Sequence, residues 1–472
     1  MGRAAADYHR AFGAYDIRGR VPDVLDETLA WRVGRGLVRC LGPGRYVIGR
    51  DMRPSSGMLA EALASGLRAQ GGDCLDLGLA ATEEVYYAVL QQRLRGGVMV
   101  TASHNPLPYN GLKIIGPGAM PLDRHGGLGP LRSVTWQDEP SGFGRGRLWQ
   151  GSVRHAYLDY LLAQVDIQAL QGMKVVAECG YGMAGPLMKA LGSRAPLTLT
   201  TLHDEPDASL PLGVPNPMLQ EQQDRITQVA RRYGGQLTLA FDGDGDRCFF
   251  FDEHGIMVDG YYVLGLLIAA CTVPGETVVL ERRLLWHSLD VAAGRDIRVV
   301  LAKAGHGFIK AAMRRHGAAY GGEMSGHHFF RSFGFCDSGM LSWLRVLAFM
   351  QQRGRGLGEL VRVARDAFPI SGERNRPLHG DSGAALRFIQ HVLQRDALES
   401  DWTDGLSMTF PRWRFNLRPS NTEPLLRLNV ETRGDVQLLH DKVALLDALL
   451  EEYESSCSPV PEPVDVRVAH HG

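Results

Sequence analysis

At 472 residues the chain is too long for a single hydrophobic core, and three or four domains of about 100–150 residues are expected. Its 51 Lys+Arg nearly cancel its 52 Asp+Glu, so no bulk field attracts nucleic acid or an acidic membrane. Seven cysteines without CxxC or Cys/His spacing argue against a disulfide framework or zinc site, and for reduced thiols in the cytoplasm. The longest apolar run, Tyr261 to Cys271, is too short to span a bilayer, and MGRAAADYHR lacks an apolar signal core and a myristoylation pattern.

Along the chain, strand and helix patterns alternate, which predicts parallel α/β domains. Tyr46-Val47-Ile48 runs into a charged loop and then a helical pattern over 56–69. Gly97-Val98-Met99-Val100 reads as a short buried strand, and the turn-forming residues after it predict a loop over 101–110. Ser103 therefore stands beyond a strand's carboxyl end, where open α/β sheets bind ligands. Glycine-rich, polar text over 126–146 reads as a domain boundary, and 173–176, 237–241, 277–280 and 299–302 as further strands. After a second boundary near Pro369, a helix over 382–394, strands near 408–415 and 425–430 and a helix over 436–453 predict a smaller α+β domain. Residues 455–472 lack apolar periodicity and are expected to be a disordered tail.

The most chemically loaded text is FDGDGDR, with Asp242, Asp244 and Asp246 alternating with glycines. Such a cluster is costly unless a hard cation neutralises it. A calcium EF-hand competes, since Glu253 falls at the twelfth loop position, but Arg247 stands where a sharp turn needs Gly and the flanks read as strands. Magnesium with few protein ligands is the better fit, and it implies a phosphate nearby. Gly180, Gly182 and Gly185 form G-x-G-x-x-G before a helix, with Asp204 or Glu205 at the distance of a ribose-binding acid; an NAD-dependent oxidoreductase is thus the alternative of a different class. RPSNTEP (418–424) gathers a guanidinium, hydroxyls and an amide suited to a phosphate dianion, or forms an ordinary hairpin turn. Glu323, Ser325, His327 and His328 in GEMSGHHFF suit sugar hydroxyls, or make a satisfied polar turn.

Together AFGAYDIRG (11–19), VTASHNP (100–106), FDGDGDR (241–247), GEMSGH (322–327) and RPSNTEP, in this order, resemble the α-D-phosphohexomutases, and among them the bacterial phosphomannomutases. The resemblance implies an α/β protein of four domains around a central cleft, three mixed α/β sheet domains followed by a smaller α+β domain. The expected divisions are 1–148 with a phosphoserine loop, 149–252 with a metal-binding loop, 253–368 with a sugar-binding loop, 369–454 with a phosphate-binding loop, and the 455–472 tail. It implies interconversion of mannose 6-phosphate and mannose 1-phosphate, feeding activated mannose (GDP-mannose) into surface polysaccharide. Phosphoglucomutase activity, alone or alongside, is the alternative, and phosphoglucosamine mutase a further one.

By that resemblance Ser103 is the phosphoserine, and Asp242, Asp244 and Asp246 with a phosphate oxygen on Ser103 hold Mg²⁺. Glu323 and Ser325 hold sugar hydroxyls; Arg418, Ser420, Asn421 and Thr422 hold the non-reacting phosphate; His306 and Lys303, in KAGHGFIK, match a segment that contacts phosphate or sugar. Glucose or mannose 1,6-bisphosphate is the implied activator and intermediate, hexose phosphates the partners, and a monomer or weak homo-oligomer in the cytoplasm the setting. Arg18, Lys113 and Arg247 supply cations for phosphoryl transfer, while Lys113 and His327 are candidates to take the sugar hydroxyl's proton. His104 is given a supporting role, because adjacent loop side chains usually diverge. The chain departs from the pattern at Glu178 and at Gly180-Tyr181-Gly182, where Gly-Asn-Gly is usual, and in the middle of the 205–217 loop.

Overall fold

The computed structural model describes residues 8–123, 127–137, 144–420 and 424–457. They form two compact units: Met1–Glu281 with His287–Ala364, and Arg282–Trp286 with Arg365–Gly472.

The first unit carries three sheets. In the first, β1 (Ile17–Arg20), β2 (Gly44–Arg50), β3 (Gly72–Leu79), β4 (Gly96–Val100), β5 (Tyr109–Ile115) and β6 (Leu148–Gln150) lie in the order β1-β5-β4-β2-β3-β6. β2 is parallel to β3 and β4, whereas β5 is antiparallel to β1 and β4. Helix α1 (Glu27–Leu41) starts at Asp26, whose carboxylate accepts the Leu29 N–H at 2.8 Å, and it buries Leu29, Val33 and Leu37 at helical spacing. It crosses α2 (Ser56–Ala69) at very short range: a Cβ on Gly66 would lie 2.0 Å from the Trp31 carbonyl oxygen, and one on Gly34 2.3 Å from that of Leu63.

In the second sheet β7 (Lys174–Glu178), β8 (Thr198–Leu202), β9 (Leu237–Phe241), β10 (Cys248–Phe251) and β11 (Met257–Val258) take the order β11-β10-β9-β7-β8. β9 and β10 are antiparallel with Phe241 opposite Cys248, so residues 242–247 are a hairpin loop and the helix–loop–helix of an EF-hand is excluded. The third sheet, of β12 (Thr277–Glu281), β13 (Arg298–Ala302), β14 (Tyr320–Gly322), β15 (His328–Phe330) and β16 (Cys336–Asp337), runs β13-β12-β14-β15-β16. There Gly322 opposes His328 in an antiparallel pair, and residues 323–327 form the connecting loop.

The second unit is built on an antiparallel sheet, β17 (Arg374–Pro377), β18 (Glu399–Asp401), β19 (Leu406–Thr409), β20 (Trp413–Pro419) and β21 (Leu425–Thr432), in the order β17-β21-β20-β19-β18. Leu386 and Ile389 from the helix Ser382–Leu393, and Leu446 and Leu450 from Val436–Cys457, close a core with Met408 and Phe415. The fold is thus three α/β domains followed by an α+β domain.

Several expectations need correction. The strand–helix alternation taken alone predicts parallel domains; the three α/β sheets are mixed, as the resemblance implies, each ending in antiparallel pairs. The glycine-rich stretch over 126–146 contains a helix, Leu128–Val134, because Leu128 and Leu131 bury against the first core. The strand near 408–415 is two strands, β19 and β20, joined by a tight turn containing Pro411. The last helix continues to Cys457, past the start of the expected tail; residues 458–472 lie outside the described ones. Gly180, Gly182 and Gly185 serve packing, for a Cβ on Gly185 would lie 2.1 Å from the Asp204 carbonyl oxygen and one on Gly182 2.9 Å from that of Gly243. Tyr181, standing where Asn is usual, sits at φ 60° with its ring 4.9 Å from that of His203, whose Nδ1 lies 2.9 Å from the Glu178 carboxylate. The departures at 178 and 181 thus form one local contact set.

Gly66→Ala raises intrinsic helix propensity, yet its methyl would meet backbone. It is expected to lower unfolding stability by about 1–3 kcal/mol in urea denaturation.

Candidate active site

β4 is buried at every residue, and the chain leaves it into the Ser103 loop. The Ser103 N–H donates to Thr101 Oγ1 at 2.8 Å, and Ser103 takes φ 47°, a left-handed conformation costly for a non-glycine residue. The loop is over-determined by Arg53, which is buried and donates to the carbonyls of Ser103, Asn105, Pro106 and Tyr109 at 2.6–2.9 Å. Arg18 Nη1 holds Asn105 Oδ1 at 2.7 Å, and its Nη2 reaches Asp16 at 2.6 Å.

Ser103 Oγ donates to Asp242 Oδ2 at 2.6 Å. Asp242, Asp244 and Asp246 are all buried, each offering an oxygen within 4.8 Å of the others. Lys113 Nζ lies 2.5 Å from both Asp244 Oδ2 and Asp246 Oδ2, and Thr82 Oγ1 donates to Asp244 Oδ2 at 2.6 Å. Arg247 clasps Asp242, Nε to Oδ2 at 3.0 Å and backbone N–H to Oδ1 at 3.1 Å. Burial opposes the charge on Asp244, yet Lys113, Thr82 and Arg247 hold its carboxyl below the usual range. Burial and the neighbouring Asp244 push Asp246 up to about 7. Burial would discharge Lys113, but Asp244, Asp246 and Asp242 outweigh it and hold its ammonium protonated.

Asp244 Oδ1 and Asp246 Oδ1 are buried without a hydrogen-bond partner among the described residues. An all-oxygen set with two such atoms fits a hard divalent cation.

His104 does not diverge from Ser103. Its Nδ1 lies 3.1 Å from Ser103 Oγ and accepts a short hydrogen bond from Arg247 Nη2, because the left-handed turn at Ser103 brings the two neighbouring side chains together. The Arg247 guanidinium, then burial, lowers its pKa to about 2, so it is a neutral acceptor.

Glu323 is buried and accepts the Gly305 N–H, tying the 322–327 loop to the KAGHGFIK segment. His327 Nδ1 lies 3.0 Å from Asp337 Oδ2 and 4.0 Å from Asp246 Oδ1, and Asp337 is gripped from its other side by the buried Lys310 at 2.6 Å. Burial disfavours the imidazolium, but Asp246 and Asp337 prevail and raise the His327 pKa. The His306 ring stands 6.4 Å from that of His327 and 4.9 Å from that of Tyr15, and burial followed by Lys310 holds it well below its ordinary value. Ser325 is half-buried, with its carbonyl accepting from Arg247 at 3.4 Å, and Lys303 is exposed near the Phe308 ring. His328 leaves the group: on β15 it is buried, with Nδ1 2.8 Å from Tyr320 Oη.

Within the second unit, Arg418 Nη2 lies 3.3 Å from Glu373 Oε2, and the same carboxylate takes Arg283 at 2.8 Å and Arg427 at 3.1 Å. Burial opposes its charge, but Arg283, Arg418 and Arg427 lower its pKa. The Ser420 N–H donates to the Leu425 carbonyl at 2.9 Å; Asn421 and Thr422 lie outside the described residues. Sequence reasoning gave no role to Thr82, Arg53, Asp337, Lys310, Glu373 and Arg283; Lys310 ends the KAGHGFIK segment and Arg53 sits in the charged loop after β2, while the other four lie outside any chemically loaded motif.

A serine hydroxyl bonded into a buried acidic cluster, with lysine and arginine beside it, is the equipment of phosphoryl transfer by a serine carrier. Four models describing phosphoglucomutase/phosphomannomutase match in order: α/β/α domain I at residues 9–126, domain II at 155–255, domain III at 259–367 and the C-terminal domain at 361–448. The chain is 45% identical over 454 residues to the phosphomannomutase of Escherichia coli K12, covering 93% of this chain and 99% of that protein. A Burkholderia thailandensis phosphoglucomutase/phosphomannomutase family structure superposes with TM-score 0.77 at 27% identity, covering 93% and 97% of the two chains. The Aspergillus fumigatus N-acetylphosphoglucosamine mutase, solved with GlcNAc-6P and magnesium, shares the fold alone at TM-score 0.58 and 14% identity, covering 95% and 98%. The chain belongs to the phosphoglucomutase/phosphomannomutase family and is a phosphohexomutase, an isomerase working by phosphoryl transfer. Among the described residues, no helix is long and apolar enough to cross a membrane.

Burial, then the neighbouring His327, lowers the His328 pKa to about 3. The unfolded chain binds a proton there below about pH 6.5 that the folded one refuses. Stability is expected to fall, as pH drops from 6.5 towards 3, by up to about 1.4 kcal/mol per unit from this residue. In an NMR titration the His328 ring resonances should stay fixed between pH 8 and 5; a midpoint near 6.5 would contradict its buried neutral state.

Proposed function

We propose that this phosphohexomutase is a phosphomannomutase, interconverting mannose 6-phosphate and mannose 1-phosphate through a phosphoserine at Ser103 and a sugar 1,6-bisphosphate. The observation that carries the reading is the 2.6 Å bond from Ser103 Oγ to Asp242 inside the acidic loop. The 45% identity to a phosphomannomutase supports the sugar.

In the transfer, a sugar hydroxyl oxygen bonds to the phosphorus as the bond from phosphorus to Ser103 Oγ breaks. The bisphosphate reverses in the site and returns its other phosphoryl group to Ser103 Oγ, so phosphate is neither gained nor lost. Mg²⁺ held by Asp242, Asp244, Asp246 and a phosphate oxygen on Ser103 would draw off charge developing on the transferring group. Lys113, Arg247 and Arg18 add fixed positive charge, and His104, neutral, orients Ser103. Of the two candidate bases, Lys113 is committed to two carboxylates, and His327 is the one suited to accept the hydroxyl proton. Glu323 and Ser325 address sugar hydroxyls, with His306 and Lys303 beside them. Arg418, Ser420, Asn421 and Thr422 hold the phosphate that is not reacting. Divisions at 148, 252 and 368 give each domain one of these loops.

Ser103→Ala is expected to remove turnover by about 10³-fold or more while leaving the melting temperature close to that of the parent protein. Intact-protein mass spectrometry should find the parent partly phosphorylated and the variant not. Retained turnover in pure variant protein would exclude Ser103 as the carrier.

Mannose and glucose phosphates differ only at O2, and strong rejection of one needs a buried group that bonds that hydroxyl. The residues assigned to the sugar address O3 and O4, and a loop that accepts the bisphosphate in two orientations is not tailored to one edge. Mannose 1-phosphate and glucose 1-phosphate should therefore differ in kcat/KM by no more than about 100-fold. A preference above about 10⁴-fold in a coupled assay would contradict this.

A further inference from the structure

The acidic loop is gripped from two sides by residues outside the family motifs. On one side is α3 (Thr82–Gln91), whose first residue donates its N–H to the Asp244 carbonyl at 3.1 Å and its hydroxyl to Asp244 Oδ2 at 2.6 Å. Oδ2 is thereby committed to Thr82 and Lys113, while Oδ1 keeps no hydrogen-bond partner among the described residues. On the other side is the start of the helix Gly339–Arg353. A Cβ on Gly339 would lie 2.9 Å from the Arg247 carbonyl carbon and 3.1 Å from the Gly245 carbonyl oxygen, so this helix rests directly on the loop.

Glu83 joins the two grips. It follows Thr82 in the first turn of α3 and is 0% exposed. Its Oε1 accepts the Met340 N–H at 3.1 Å, and its Oε2 accepts short hydrogen bonds from the hydroxyls of Ser338 and Tyr157. Ser338 is also the cap of the second helix, taking the Leu341 N–H at 2.9 Å. One buried carboxyl thus ties the first turns of both helices that enclose residues 242–247.

We propose that Thr82 and Glu83 are positioning residues for the metal. Thr82 fixes the Asp244 carboxylate with Oδ1 presented to the cation, and Glu83 holds Thr82 in place by locking α3 to the opposing helix. The proposal rests on the metal-dependent reading above. A hydroxyl hydrogen-bonded to a ligating carboxylate fixes its rotamer, and losing such a partner typically weakens metal binding 10–100-fold.

The test is calorimetric titration of the full-length, dephosphorylated protein with Mg²⁺ and with Mn²⁺, alongside the mutase assay at varied metal. Thr82→Val keeps the shape and removes the donor. It should bind metal at least about 10-fold more weakly and raise the half-saturating metal concentration by the same factor, with a smaller change in kcat. Thr82→Ser, which keeps the hydroxyl, should restore affinity to within about 2-fold of the parent. Glu83→Ala should weaken metal binding too, and adding it to Thr82→Val should cost nothing more, because it acts through Thr82. If melting curves show Glu83→Ala unfolded, Glu83→Gln takes its place. Parent-like metal affinity in Thr82→Val, an equal loss in Thr82→Ser, or additive losses in the double variant would each overturn the proposal. A parent protein that binds neither metal and has no mutase activity would instead overturn the functional reading.

Discussion

Three carboxylates confined within 4.8 Å, all buried, are the constraint on which the site depends. Like charges at this range and out of water cannot all persist without cations. The protein's own answer is Lys113, bridging Asp244 and Asp246, and Arg247, clasping Asp242. The alternation of Asp with Gly follows from the same constraint. A Cβ on Gly243 would stand 2.5 Å from the Ser103 carbonyl oxygen, and Gly245 takes φ 77°. The acids supply charge, and the glycines let the hairpin approach the serine loop closely enough for the hydroxyl to reach Asp242.

The electrostatic consequences sort the histidines. His104, His306 and His327 are all half-buried around the cluster, yet their tendencies diverge because their nearest charges differ. His104 faces Arg247 and is driven neutral; His306 is desolvated beside Lys310 and is likewise held low. His327 alone has carboxylates on both sides, Asp337 at 3.0 Å and Asp246 at 4.0 Å, and rises. The divergence sets His327 apart from the other two, which fits the role proposed for it above. Burial opposes the charge on Asp337, but Lys310, buried and 4.7 Å from the Tyr86 ring centroid, and then His327 hold its carboxyl well below the usual range.

What was legible in the sequence was local. DGDGD, the serine loop and GEMSGH announce themselves because their chemistry is packed into consecutive residues, and sheet hairpins carry each of them intact to its place. Thr82 and Glu373 were invisible because each acts across a long sequence separation: Thr82 meets Asp244 162 positions away, and Glu373 meets Arg283 90 positions away. The closeness of His104 to Ser103 was hidden for a different reason. The rule that neighbouring loop side chains diverge assumes an extended backbone, and Ser103 is held at φ 47° by Thr101 and Arg53. The helix Leu128–Val134 hid behind glycine because only two of its side chains bury.

The second unit solves the opposite electrostatic problem. Arg283, Arg418 and Arg427 converge on one carboxylate, Glu373, and together they keep it ionised against its burial. Without Glu373 the three would repel one another and spread. Glu373 holds the forks in register, and planar guanidiniums so held suit a phosphate dianion, the species proposed for Arg418. Arg283 belongs to this set because the short segment Arg282–Trp286 is fastened to the same unit. The Leu285 and Trp286 N–H groups donate to the Glu431 carboxylate at 2.8 and 3.0 Å, and Arg414 donates to the Arg283 carbonyl at 2.6 Å. Glu431 thus anchors the segment from which the third guanidinium reaches Glu373.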